Sequence, residues 1–207
     1  MLLRILTAAV VCYFLGNHNG AICVSLMLGD DVRSHGSGNA GLTNFVRSYG
    51  TGRALLVILI DVGKAVLACL VAGLLLSPYE CALQGKVLGG LCVLLGHVYP
   101  ALQGFRGGKG ILSGWFVAWC VDWRIGAVIG IIFCVVYFIT RYVSLASVLC
   151  AVTFGVGFVI LYHDELWIWL GGVLMSALCI FAHRGNILRL LKGQEQKTNL
   201  FSKGKKQ

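Results

Sequence analysis

Charge is scarce in this chain: of 207 residues, 12% are Asp, Glu, Lys or Arg, against 58% hydrophobic. Soluble domains carry about 25% charged residues, so a water-surrounded fold is excluded, and the mean hydropathy of +0.85 fits a bilayer instead. Acidic residues are scarcer still, 8 in all, and the carboxylates Asp30, Asp31 and Glu195 of the polar loops make no metal-binding cluster. No metal and no cofactor is therefore expected. The nine cysteines (12, 23, 69, 81, 92, 120, 134, 150 and 179) are scattered through apolar runs without a C-x-x-C. That excludes a disulfide framework or zinc site and leaves small buried hydrophobes. A G-x-S-x-G elbow is missing too, which removes the usual serine acyl-enzyme.

Glycine is plentiful, with 28 residues, and Gly36, Gly38 and Gly41 form G-x-G-x-x-G with Asp61 twenty positions further on. That spacing matches a dinucleotide fingerprint, which needs a strand before the glycines and a βαβ unit around them. The flanks here are instead Ile5–Leu28 and Ala54–Leu76, apolar stretches of 24 and 23 residues. Each is long enough to cross a hydrocarbon core of roughly 30 Å as a helix. Asp61 then lies inside a span, out of reach of any ribose, and the dinucleotide reading fails.

The apolar segments run approximately 5–28, 54–76, 85–103, 108–121, 125–140, 146–162 and 166–182. The first has only Arg4 before it and no small-residue cleavage pattern after it, so it reads as a retained helix. Asp122–Trp123–Arg124 is either a turn or a polar dent, and charge decides between them. Arg184, Arg189, Lys192, Lys197, Lys203, Lys205 and Lys206 follow the last segment, and Arg33, Arg47, Arg53, Arg106, Lys109 and Arg141 fill other loops. Cytoplasmic loops collect such charge. Seven spans place all of it on one side, whereas fusing 108–140 would send the tail outside. The expected fold is all-α: a single polytopic membrane domain over 1–195, about seven transmembrane helices, amino terminus out, carboxy terminus cytoplasmic. Residues 196–207 are expected to form a flexible, basic cytoplasmic tail. The net charge of +9 is then one-sided.

Three of these loops hold more than charge. In Arg33–Arg53, glycines let backbone N–H groups turn inward as an anion nest. Ser37, Asn39, Thr43 and Asn44 add donors, Arg47 offers a bidentate fork, and a helix starting near Thr43 would add its N-terminus. The alternative is a flexible linker. GFRGGKG at 104–110 is not a Walker A loop, because Lys109 is followed by glycine and not by Ser or Thr. A lysine in a glycine turn still suits a phosphate. His183, Asn186 and Arg189 fall at i, i+3 and i+6 on one helical face just after the last segment. Leu188, Leu190 and Leu191 suit a helix lying in the membrane surface. Inside the spans, Asp61 and Lys64 can pair three residues apart, as a functional site or a structural ion pair. His97 lies near the cytoplasmic end of the third segment, and Asn17, His18 and Asn19 interrupt the first.

These pieces occur in a telling order. HGSGNAGLTN with Arg47, the D-x-x-K pair, GHVYP leading into GFRGGKG, and H-x-x-N-I-x-R-L at His183–Leu190 resemble the bacterial acyl-phosphate:glycerol-3-phosphate acyltransferases of the PlsY type. The resemblance runs from about Gly16 to Glu195. It implies a seven-helix enzyme of the bacterial inner membrane with a cytoplasm-facing site, acting early in phospholipid synthesis. Its substrates would be acyl phosphate and glycerol 3-phosphate, its products lysophosphatidic acid and phosphate. Partners would be membrane lipid and a peripheral enzyme that makes acyl phosphate, with no nucleic acid. The chain departs from the family's G-S-I-P, which here is Gly16-Asn17-His18-Asn19, and has Ala65 and Arg106 where glycine and lysine are usual.

On that resemblance, Ser37, Gly38, Asn39, Gly41, Thr43 and Asn44 would hold a phosphate, with Gly107, Gly108 and Arg189 also binding substrate and Arg47 and Lys109 supplying charge. His183, Asn186 and Lys109 would be the catalytic residues, and Asp61, Lys64 and His97 would support them within the membrane. An acyl phosphate is already activated and requires no covalent nucleophile. Consistently, no H-x₄-D pair of acyl-CoA-dependent acyltransferases occurs: the residue five after each histidine is Cys23, Ala40, Leu102, Ile168 or Leu188. The hydroxyl proton passes to His183 or to a donor phosphate oxygen, and the resemblance favours the phosphate. A transporter of phosphate or organic phosphate is the competing reading. It would need a midplane site reachable from both faces, whereas the unusual residues crowd one face. A membrane scaffold with a basic recruiting tail leaves the glycine loops unexplained.

Overall fold

The first apolar segment does not run straight through. In the computed structural model, which describes residues 1–198, it splits into α1 (Leu2–Asn17) and α2 (Gly20–Met27), bent by 45° at His18–Asn19. Such a break frees backbone groups at membrane depth, where water cannot satisfy them. Here the protein does so. Asn19 caps α2 by accepting from the Ile22 N–H at 3.1 Å, and Asp61 accepts the Gly20 N–H at 3.0 Å. Lys64 donates to the His18 carbonyl at 3.0 Å.

After the break come α3 (Leu42–Tyr49), α4 (Ala54–Leu76) and α5 (Ala82–Val98). The rest of the bundle is α6 (Ile111–Val121), α7 (Trp123–Thr140), α8 (Val143–Leu161), α9 (Leu166–Ala182) and α10 (Arg184–Leu191). Among the described residues no strand is present, and all seven apolar segments are helical. Four helices, α4, α5, α7 and α8, are long and apolar enough to cross a membrane alone. Counting the bent pairs α1–α2 and α9–α10 as single spans makes six.

The fourth expected span is shorter than its sequence suggests. Helix α6 has 11 residues, about 16 Å at 1.5 Å per residue. Residues 108–110 belong to a loop that folds inward: the Gly107 and Gly108 N–H groups donate to the Val98 and His97 carbonyls at 3.2 and 3.0 Å. Asp122 does end α6. It is extended and caps α7 by accepting from the Arg124 N–H, so the DWR stretch is a turn.

Helices pack through small residues, as membrane bundles do without a hydrophobic force between them. At the α1–α5 crossing, Gly96 leaves no room for a Cβ because the Tyr13 carbonyl lies against it. Ala65, Ala68, Cys69 and Ala72 of α4 form a fully buried stripe in the main core. A second, smaller core of Ala21, Ile22, Val24, Val32, Ala40, Phe45 and Val57 seats the Arg33–Arg53 loop on the bundle. That loop is a folded part of the protein. Of the basic tail, Lys203, Lys205 and Lys206 lie outside the described residues.

Candidate active site

Helix α3 begins at Leu42 with Gly41 as its cap residue, close to where a phosphate-binding helix was expected. Its first-turn N–H groups have no partner within the helix. The loop before it braces itself more than expected. The Ser37 N–H donates to Asn44 Oδ1 at 2.9 Å, and Asn44 Nδ2 donates to the Val32 and His35 carbonyls at 3.0 Å. The Gly38 and Gly41 N–H groups go to the His35 and Asn39 carbonyls. An anion nest from these amides is therefore not formed: they close the loop. Ser37, Asn39 and Thr43 side chains, and the start of α3, remain to meet a ligand.

The inward loop carries Lys109 beneath this turn, where its ammonium donates to Asn186 Oδ1 on α10. Burial, with the Arg189 guanidinium nearby, pushes the lysine down to about 8, against the pull of Glu195. At the junction of α9 and α10 sits His183, buried at 4% exposure, with Nδ1 2.8 Å from the Cys179 carbonyl. Burial is the main reason its imidazole falls to about 4, with Lys109 adding to the effect. It is neutral at pH 7, its Nδ1–H donating to that carbonyl and Nε2 left as an acceptor.

The chain's own end reaches into the same place. Glu195 accepts from Asn186 Nδ2 at 2.8 Å and Arg189 Nε at 2.7 Å. Burial opposes its charge, yet these two donors hold the carboxyl below its usual range. Thr198 accepts from Arg47 Nη2 at 3.1 Å and donates its N–H to the Arg141 carbonyl at 2.9 Å.

These groups line one cavity of about 780 Å³. Its polar end is formed by Ser37, Asn39, Gly41, Thr43, Asn44, Arg47, Lys109, His183, Asn186 and Arg189, with Asp61 and His97 at its base. From there an apolar arm extends along Ile111, Trp115, Phe116, Ile129 and Phe133 of α6 and α7. Cations at one end and an aromatic trough at the other suit an amphiphile with an anionic head.

Residues 6–193 match the family model described as glycerol-3-phosphate acyltransferase. The chain belongs to that family. A glycerol-3-phosphate acyltransferase of Finegoldia magna is 37% identical over 196 residues, spanning 94% of this chain and 96% of the relative. One from Thioalkalivibrio sulfidiphilus is 37% identical over 205 residues, 97% and 98% of the two chains. The crystal structure of PlsY (YgiH), an integral membrane glycerol 3-phosphate acyltransferase, in its glycerol 3-phosphate form superposes with a TM-score of 0.83. Identity there is 29%, over 96% of this chain and 99% of that one. The lysophosphatidic acid form gives 0.80 at 28% identity, over 95% and 96%. This chain is thus a membrane glycerol-3-phosphate acyltransferase of the PlsY family, and its cavity is read as that of an acyltransferase.

Four expected site residues lie away from the cavity wall. Gly107 and Gly108 give their N–H groups to the Val98 and His97 carbonyls at the end of α5, directly before Lys109. Gly38 turns the loop with φ of +69°. Lys64 faces Asp61, His97 and the α1–α2 break. Sequence reasoning missed the aromatic arm, Ser144 and Ser147 at the start of α8, and the return of Glu195 and Thr198. Trp115 and Phe116 follow Lys109 within seven positions, the one usable signal for the arm. Among the described residues no group of three His, Cys, Asp or Glu is placed to hold a metal.

Proposed function

We propose that the acyl donor is an acyl phosphate, from which the protein moves a fatty acyl group to the hydroxyl of glycerol 3-phosphate. The observation carrying this reading is the joined cavity: Arg47, Lys109 and Arg189 at one end, the Trp115–Phe116–Phe133 arm at the other. Two phosphates meet the cations, and the acyl chain lies along the arm. The hydroxyl oxygen attacks the acyl carbonyl carbon, the new C–O bond forms, and the carbonyl–oxygen bond to phosphate breaks. Phosphate leaves with the hydroxyl proton on one of its oxygens. His183 and Asn186 orient the hydroxyl or the carbonyl, and Lys109 neutralises the leaving phosphate. Orientation of this kind can supply roughly 7–11 kcal/mol, and a single oxyanion donor about 3 kcal/mol. A neutral imidazole already lowered to about 4 is a weak base, which supports proton transfer to phosphate.

The protein is read as lying in the bacterial inner membrane with this site toward the cytoplasm, served by a peripheral enzyme that makes acyl phosphate. The test uses purified protein in lipid with glycerol 3-phosphate and either palmitoyl phosphate or palmitoyl-CoA. Lysophosphatidate and phosphate are expected from the first donor alone, and undiminished in a chelator. Product from the CoA ester would overturn the donor assignment. His183→Gln keeps hydrogen bonding without basicity and should retain kcat within about tenfold. A loss near 10⁴-fold with intact substrate binding would make His183 the base.

A further inference from the structure

Asn19 stands at the break of the first span, where the family motif quoted above has proline. It is fully buried, and both ends of its amide are used. Oδ1 caps α2 at the Ile22 N–H, and Nδ2 donates to the Ala40 carbonyl at 2.9 Å. A proline here has neither an oxygen to cap Ile22 nor a side-chain donor for Ala40. The second bond is therefore particular to an amide at this position.

Ala40 is placed to matter. It lies between Asn39 and Gly41, both on the cavity wall, and directly before α3. Its carbonyl also faces the other loop: a Cβ on Gly108 would lie 2.5 Å from it and would strike His97 Nε2. Gly108 immediately precedes Lys109. The Ala40 carbonyl is thus a buried contact at which the α3 turn and the lysine loop abut, and Asn19 holds it from behind. Asn19 is itself fixed by the neighbouring break, where Lys64 holds the His18 carbonyl and bonds His97 Nδ1 at 2.8 Å. His97 in turn accepts the Gly108 N–H on its carbonyl. Both loops are thereby referred to one buried point.

We infer that Asn19 is a positioning residue for the acyl transfer, setting the spacing between the α3 phosphate turn and Lys109 through the Ala40 carbonyl. This rests on the reading that both loops meet substrate phosphates. Misplacement by a fraction of an ångström to 1 Å between such groups costs rate far beyond its cost in stability.

The experiment compares Asn19→Ser with Asn19→Ala. Serine keeps a capping oxygen for Ile22 but lacks the separate Nδ2 that bonds Ala40, whereas alanine loses both. Measured for each are kcat and KM with both substrates, the thermal unfolding midpoint in detergent, and the midpoint shift on adding glycerol 3-phosphate or inorganic phosphate. Both variants should lose kcat/KM by about 10- to 100-fold and show a smaller phosphate-induced shift, while alanine lowers the ligand-free midpoint further than serine does. Wild-type kinetics and wild-type phosphate shifts in Asn19→Ser would overturn the inference. So would a kinetic loss confined to Asn19→Ala, which would make the residue a helix cap only. A wild-type protein that makes no product yet is stabilised by phosphate would sink the proposed reaction, and the variants' phosphate shifts would still judge Asn19.

Discussion

Lys109 is the residue whose surroundings fix a pH dependence. Burial and Arg189 bring its ammonium to about 8, so the charged form is lost as pH rises through that value and not near 10. If charge on Lys109 neutralises the leaving phosphate, kcat/KM should fall above pH 8 by up to tenfold per unit. A bound phosphate favours the ammonium, so the limb in kcat should lie higher than the limb in kcat/KM. Lys109→Arg keeps its charge at every relevant pH but replaces a point charge with a planar fork. The limb should disappear in that variant, with kcat reduced by about 10²-fold. An unchanged limb would assign the titration to another group. The neighbouring bond to Asn186 makes Asn186→Ala a useful companion, since it frees the ammonium without removing it.

At the scale of elements, the broken first span and α4 depend on each other. Lys64 and Asp61 pair at 2.8 Å, buried among helices. Each also holds a backbone group of the break, the His18 carbonyl and the Gly20 N–H. Removing either partner alone leaves an uncompensated buried charge, a cost of about 3–5 kcal/mol. Replacing both with Leu and Met removes the lone charge and leaves neutral groups without these partners, the Gly16 and His18 carbonyls, the Gly20 N–H and His97 Nδ1, at about 1–3 kcal/mol for an unsatisfied group. Asp61→Leu/Lys64→Met should therefore be no less stable to denaturant than the worse single variant. Costs that simply add would show that the two charges act independently. The seven helical segments were legible in the sequence because long apolar runs admit little else in a bilayer. The break at His18–Asn19 was legible only as a polar interruption, since buried asparagines equally suit helix packing. The shortness of α6 was hidden for a related reason: glycines leading into an apolar run do not reveal which N–H groups are already claimed by α5. For the site, Arg47, Lys109, His183, Asn186 and Arg189 could be read from ordered motifs. The inward bonding of Asn44 and the lining role of Phe133 depend on tertiary placement, and an aromatic on α7 looks like any lipid-facing one.

The whole molecule carries its charge asymmetrically, and the contacts show how. Arg33 donates to the Gln103 and Arg106 carbonyls at 2.8 and 3.2 Å, Arg47 to Thr198, and Thr198 to the Arg141 carbonyl. The basic loops and the described part of the tail are thus one assembled end, and Arg47, Lys109 and Thr198 of that end line the cavity. Elsewhere, Met1 reaches Tyr79, Arg4 reaches the Leu75 carbonyl, and Tyr162 donates to Asp122 at 3.0 Å. Loops rich in Lys and Arg stay in the cytoplasm, and a substrate with a phosphate group has no path across a bilayer without a carrier. Both arguments support the proposal that the assembled end faces inward. The short α6 is the weak point of that topology, because about 20 residues are needed for a full span. Gly107 and Gly108 fold inward onto the end of α5, and after α6 the chain turns at Asp122 and returns as α7. With α6 counted as a crossing beside the six candidate spans, the proposed topology has an odd number of crossings. Epitope tags at the two termini, probed by protease in spheroplasts and in inverted vesicles, should be cut on opposite sides, the amino-terminal tag from outside and the carboxy-terminal tag from inside. Cleavage of both from one side would make α6–α7 a re-entrant pair that enters and leaves by the same face.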